Sequence, residues 1–239
     1  MRHLPGKFGA IRVVFVVAAL VASVAVAADG PWNQKPRSDW DRADVHRILF
    51  DSPWVRRFRG THRALEFEVP DQGPSGMELR GYHAKESQHD GAETAEFYIR
   101  WVSSRTLRAA QSRSLALRKP GPANPAATDS PKLLDLFEVA VAGPDMTVFD
   151  HAREAALRSR CYLWVSSKGK IAPSRVEFAR SGGGQLRGLL FRFPRKTADG
   201  EPLIPTHDTR VWFIESGGDV AIRVSFEVQA MVDENGPDL

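Results

Sequence analysis

Apolar and polar residues alternate over several short stretches of the chain, most densely after residue 131. Leu136–Val141, Cys161–Val165, Arg175–Ala179, Leu186–Phe193, Thr209–Glu215 and Val220–Phe226 each read as a strand. The connections Lys168-Gly169, Ser181–Gln185 and Ser216–Asp219 consist of turn-forming residues. Short links join antiparallel neighbours, so this half is expected to form an antiparallel sheet. Upstream, Ala64–Val69 shows the cleanest alternation, with Leu65, Phe67 and Val69 set against Glu66 and Glu68. Phe97–Ser103 predicts a second, aromatic-rich strand.

Helical periodicity appears three times. Ser38 with Asp41 reads as an N-cap and capping box for a helix running to about Phe50, with Val45, Ile48 and Leu49 inward. Asp51-Ser52-Pro53 ends it, since a residue before proline avoids helical angles, and Trp54 is expected to anchor that corner in the core. Ser104 is placed to cap a helix over Arg105–Arg118, whose arginines scatter around the axis instead of forming a stripe. Thr147–Arg158 gives the most regular amphipathic pattern, with Val148, Phe149, Ala152, Ala155 and Ala156 on one side.

These elements predict an α+β fold, mainly antiparallel sheet, with a β-rich C-terminal half and about three short helices. Four prolines in Lys119–Pro131 mark a stiff linker between segments 28–118 and 132–239, which can belong to one domain or two. The pattern leaves open whether the sheet folds over on itself or packs on the Thr147 helix. It also leaves open whether the two N-terminal strands join the same sheet.

The first 27 residues change the picture of charge and location. Arg2, Lys7 and Arg12 precede the apolar run Val13–Ala22 and the small-residue pattern Ala25-Val26-Ala27, with no acid before Asp29. That order is the anatomy of a cleavable secretory signal, so cleavage after Ala27 and a secreted or periplasmic destination are expected. The apolar stretch Val13–Ala28 is 16 residues, short of the roughly 20 that span a bilayer, and no integral membrane span is expected in the mature chain. The whole chain carries 33 Lys+Arg and 29 Asp+Glu; three bases and no acid lie in residues 1–27, leaving 30 against 29. A general affinity for nucleic acid is therefore not implied, and the group Arg56, Arg57, Arg59 and Arg63 reads as solvated surface. Cys161 is the one cysteine, so no intrachain disulfide forms and the core must hold the fold.

Candidate chemistry is sparse. His62, His83, His89 and Asp90 fall within one 30-residue stretch and offer the donor types of a zinc site, although their spacing matches no finger or helical pair. Cys161 would need His151 or His207 beside it to act as a nucleophile, and a buried, inert strand cysteine is the plainer reading. Glu66 and Glu68 share a strand face as any wet sheet does, although such a pair also suits glycoside hydrolysis. Gly73-Pro74-Ser75-Gly76 does not fit a serine elbow, and Gly182-Gly183-Gly184 reads as a hairpin tip, not a phosphate cradle; no cofactor is expected. Arg195-Lys196, in the long loop Pro194–Asp208, is the basic loop best suited to bind something. Among the tryptophans, Trp164 and Trp212 are expected in the core, with Trp32 and Trp40 more exposed.

Four segments carry a resemblance. They are Asp44-Val45-His46-Arg47-Ile48-Leu49 running into Asp51-Ser52-Pro53-Trp54, then Val141-Ala142-Gly143-Pro144-Asp145. Phe193-Pro194-Arg195-Lys196 with Gly200-Glu201-Pro202 is the third, and Met231-Val232-Asp233 with Gly236-Pro237-Asp238-Leu239 the fourth. Together the chain resembles an uncharacterised family of signal-bearing acidobacterial proteins, which implies export and a shared fold but no catalytic residue. The expected function is that of an exported, non-catalytic binding or interaction protein of the cell envelope, with an envelope protein or a glycan as partner. The alternatives are a metal-assisted hydrolase using the loop histidines and an envelope assembly subunit.

Overall fold

The computed structural model describes residues 30–61, 94–118, 134–217 and 220–239. The chain enters through a short helix α1 (Pro31–Gln34) and a 3-10 turn (Arg37–Asp39) into α2 (Arg42–Phe50). The capping box lies three residues later than the pattern at Ser38 suggests. Asp41 is the N-cap and accepts from the Asp44 amide at 2.8 Å, while the Asp44 carboxylate accepts from the Asp41 amide at 3.1 Å. Lys35 Nζ donates to Asp44 at 2.8 Å and holds that carboxyl below the usual carboxylate range. Val45 and Ile48 face inward as expected, and Ser52 Oγ closes the helix end on the Ile48 carbonyl at 2.6 Å.

Strands β1 (Val55–Thr61), β2 (Thr94–Trp101) and β3 (Leu136–Ala142) follow, with α3 (Arg105–Arg118) between the last two. Then come α4 (Glu154–Arg160), β4 (Cys161–Val165), β5 (Gly169–Ile171), β6 (Arg175–Arg180), β7 (Leu186–Pro194), β8 (Arg210–Glu215) and β9 (Ile222–Glu227). A small hairpin, β10 (Val232–Asp233) with β11 (Gly236–Pro237), ends the described chain. All pairings are antiparallel. One sheet has the order β1-β2-β3-β7-β6 and the other β5-β4-β8-β9.

Two questions left open by the pattern are answered here. β2 pairs with β3 from Tyr98↔Ala142 to Trp101↔Val139, so strands from before and after residues 119–131 share one sheet. The second sheet, not a helix, covers the first. Phe213 of β8 lies 5.4 Å from Phe191 and 6.5 Å from Phe193 of β7, and Trp101 of β2 lies 5.3 Å from Phe226 of β9, all edge-on. Phe213, Phe226, Phe191, Phe193 and Trp101 are fully buried, and such edge-to-face pairs add to the burial energy of each ring. β2 and β3 also approach closely at their ends, where a Cβ on Gly143 would sit 2.4 Å from the Glu96 carbonyl oxygen.

The expected helix Thr147–Arg158 is broken in two. Asp145 accepts from the Thr147 amide at 2.9 Å and sets a 3-10 turn, Thr147–Phe149, that drives Phe149 against Phe97 at 5.7 Å. Arg153 is then extended (φ −103, ψ 147), and the chain restarts as α4, which buries only Leu157. Burying Phe149 outweighs the periodicity that would continue the helix, a case of tertiary packing overriding local preference. Val55–Thr61, read from the sequence as surface arginines, is a sheet strand, and Ala64–Val69 lies outside the described residues.

The last residues lock the N-terminal half. Asp238, fully buried, accepts from the Arg105 amide at 2.6 Å, the Thr106 amide at 3.0 Å and Ser104 Oγ at 2.7 Å. It therefore caps α3 jointly with Ser104, whose Oγ accepts from the Leu107 amide at 3.1 Å. The Asp238 carbonyl accepts from Trp54 Nε1 at 2.6 Å, and Asp233 pairs with Arg105 at 2.8 Å and Arg37 at 3.2 Å. Trp54 is buried as expected.

Candidate binding cleft

An open cleft of about 710 Å³ lies where the end of α2 crosses β1 and β2. Its position follows from local sequence. The turn at Asp51-Ser52-Pro53 reverses the chain from α2 into β1, so His46, Arg47 and Phe50 face the arginines of β1. Phe50 is 40% exposed, stacks on His46 at 4.8 Å and meets Tyr98 edge-on at 5.5 Å. Arg100 covers the same aromatic rim, 5.0 Å from the Phe50 ring and 5.1 Å from Tyr98.

The cleft is cationic for a structural reason. Arg56 spends its donors on carbonyls: Nε on Ser225 at 2.6 Å and Nη1 on Val55 at 2.7 Å. Arg100 Nε likewise donates to the Leu49 carbonyl at 3.1 Å. Burial pushes both guanidinium pKa values down; carbonyl dipoles hold the two groups in place, and for Arg56 the Glu227 carboxylate opposes the shift. Arg57 and Arg59 share Glu96 at 2.6 and 3.0 Å, and the hydrogen bond from Arg57 leads in lowering that carboxyl to about 2. With exposed Arg47, five guanidinium groups stand in or beside the cleft, while the carboxylates acting there are Asp51, Glu96, Asp44 near Arg47 and Glu227 near Arg56. Such a surface attracts anions and offers planar forks that match carboxylates, beside aromatic edges.

His62, His83, His89 and Asp90, like Glu66, Glu68 and Gly73–Gly76, lie outside the described residues. Among the described residues no group of three His, Cys, Asp or Glu side chains is placed to hold a metal ion, and no helix is long and apolar enough to cross a membrane. Cys161 is buried on β4, and burial raises its thiol pKa well above the ordinary value, as Glu215 nearby does further. His151 and His207 are exposed loop residues. Gly182–Gly184 is the exposed tip of the β6–β7 hairpin, with Gly184 at φ +80.

The tryptophan expectation is reversed. Trp32 (5% exposed) and Trp40 (1%) are buried: Trp32 packs edge-on to Trp54 at 5.3 Å, and Trp40 Nε1 donates to the Pro31 carbonyl at 3.2 Å. Trp164 and Trp212 face each other across β4 and β8 on the outer side of the second sheet, half-buried, with Arg223 4.7 Å from the Trp212 ring. The apolar neighbours of those two tryptophans alternate to the inner face, which is why a run that looks continuously apolar divides this way. The cleft itself was missed because Arg56-Arg57-Phe58-Arg59 reads as surface charge. The available signal was its position directly after a helix-ending Pro53.

The chain matches no protein-family model, no curated protein and no solved structure.

Proposed function

We propose that this is an exported, non-catalytic binding protein of the bacterial cell envelope, and that the cleft beside α2 takes an acidic glycan. The observation that carries the reading is the pair of half-buried arginines, Arg56 and Arg100, whose donors are held by carbonyls, which leaves an excess of positive charge in the cleft next to the exposed Phe50 rim. Carboxylates along a sugar chain pair with the guanidinium forks, and the apolar faces of the sugar rings rest on the aromatic edges. An open cleft suits a polymer better than a small enclosed metabolite.

Calorimetric titration with a galacturonic acid hexamer tests this. Binding is expected for the native protein and is weakened about tenfold, 1.4 kcal/mol, by Arg47→Glu, with Phe50→Ala also weakening it. Arg187→Glu, exposed on β7 away from the cleft, leaves it unchanged. Equal binding by all three variants, or none by the native protein, overturns the reading.

Export rests on the basic, apolar and small-residue order of residues 1–27, and the resemblance to a signal-bearing acidobacterial family accords with it. N-terminal sequencing of the protein recovered from a periplasmic extract is expected to begin at Ala28; a chain retained in the cytoplasm with Met1 intact contradicts export.

A further inference from the structure

A second cavity, of about 460 Å³, opens on the other side of the sandwich, between the β7–β8 loop and the residues after β9. Its walls are apolar: Phe137 of β3, Ile204 of the loop, Val228, Val232 and Leu239. Its volume falls within the range of small-molecule sites. Arg195 enters this apolar setting from the end of β7. Its guanidinium lies 4.3 Å from the Phe137 ring centre, and Nη2 donates to the Leu239 carbonyl. Arg195 Nε is buried and has no hydrogen-bond partner among the described residues. Lys196, exposed, lines the same cavity.

A buried donor without an acceptor costs free energy comparable to a lost hydrogen bond, and more when it is charged. Burial leads in lowering the Arg195 pKa to about 10, with Asp238 and Asp135 opposing it. An oxygen anion in the cavity would meet the Arg195 and Lys196 charges that line it, and the apolar walls would take whatever hydrocarbon carries that anion. We propose that the cavity binds a small amphiphilic carboxylate, of the medium-chain fatty acid class, with its head group at Arg195 and Lys196 and its chain among Phe137, Ile204 and Val228. This site is separate from the cleft beside α2 and does not depend on the glycan reading.

The test is calorimetric titration of the full protein with decanoate below its micelle-forming concentration, against decanol and acetate. Decanoate is expected to bind in one-to-one stoichiometry, decanol at least about tenfold more weakly, and acetate not at all. Arg195→Met should reduce decanoate affinity at least about tenfold and abolish the preference over decanol. Ile204→Trp, which fills the cavity without touching the charge, should block decanoate while leaving the galacturonate titration unchanged, so a folding defect in the arginine variant cannot hide the answer. No decanoate binding, equal affinity for decanoate and decanol, or binding undisturbed by Ile204→Trp overturns the proposal.

Discussion

Asp238→Ala is expected to lower the stability of the protein by about 3–5 kcal/mol, the cost of removing one partner from a buried, hydrogen-bonded charge pair. The carboxylate is fully buried, accepts three hydrogen bonds, from two backbone amides of the first turn of α3 and the Ser104 hydroxyl, and lies 3.4 Å from Arg105 Nε in an ion pair. Its loss leaves Arg105 with Asp233 and the Pro237 carbonyl and strips the helix N-terminus of its carboxylate cap, itself worth about 1 kcal/mol. The main-chain bond from Trp54 to the Asp238 carbonyl is retained in the variant, so the effect reports the side chain. For a chain of this size each kcal/mol corresponds to about 2–4 °C, so the melting temperature should fall by on the order of 10 °C. Asp238→Asn keeps one acceptor oxygen and should lie between the native protein and the alanine variant. A loss below about 1 kcal/mol for Asp238→Ala would show that the last residues do not hold α3.

Phe213→Ala is expected to cost about 3–5 kcal/mol, measured by urea unfolding, because the ring packs between the two sheets. It is fully buried and touches both Phe191 and Phe193 of β7 across the interface. Removing it leaves a cavity that neither rigid sheet can collapse to fill. Phe213→Leu retains most of the volume and should cost less than half as much. A near-neutral alanine variant would mean that the sheets are not held face to face through this ring.

Several strands were legible in the sequence. Cys161–Val165, apolar throughout, has the same bounds in the structure, and β3, β6 and β7 extend only one residue beyond their predicted ends. Val55–Thr61 was not legible, because arginines occupy its outward positions and half-buried Phe58 carries its inward signal almost alone. It is an edge strand of its sheet, where charge is the usual protection against further pairing. Thr147–Arg158 failed for the opposite reason: its helical period is genuine, but Phe149 has a better place against Phe97.

The candidate sites depend on long-range contact, which periodicity does not encode. Arg56 reaches the Ser225 carbonyl 169 positions away, and Arg195 meets Leu239 across 44. Of the residues expected to carry chemistry, Arg195-Lys196 alone lies in a cavity of the described structure, and it does so by turning one guanidinium inward from the loop. The buried pair Trp32 and Trp40 shows the same limit. Both sit in a polar stretch, and only the Trp54 corner folding beneath them takes Trp32 out of water.

The most direct test of the binding account is the melting temperature of the exported protein with acidic and neutral oligosaccharides of equal length. A ligand that binds only the folded state must raise it by mass action. The account predicts a rise with the galacturonic acid hexamer that shrinks as salt screens the guanidinium groups, and no rise with cellohexaose. An equal rise with both sugars, or none with either, would contradict it.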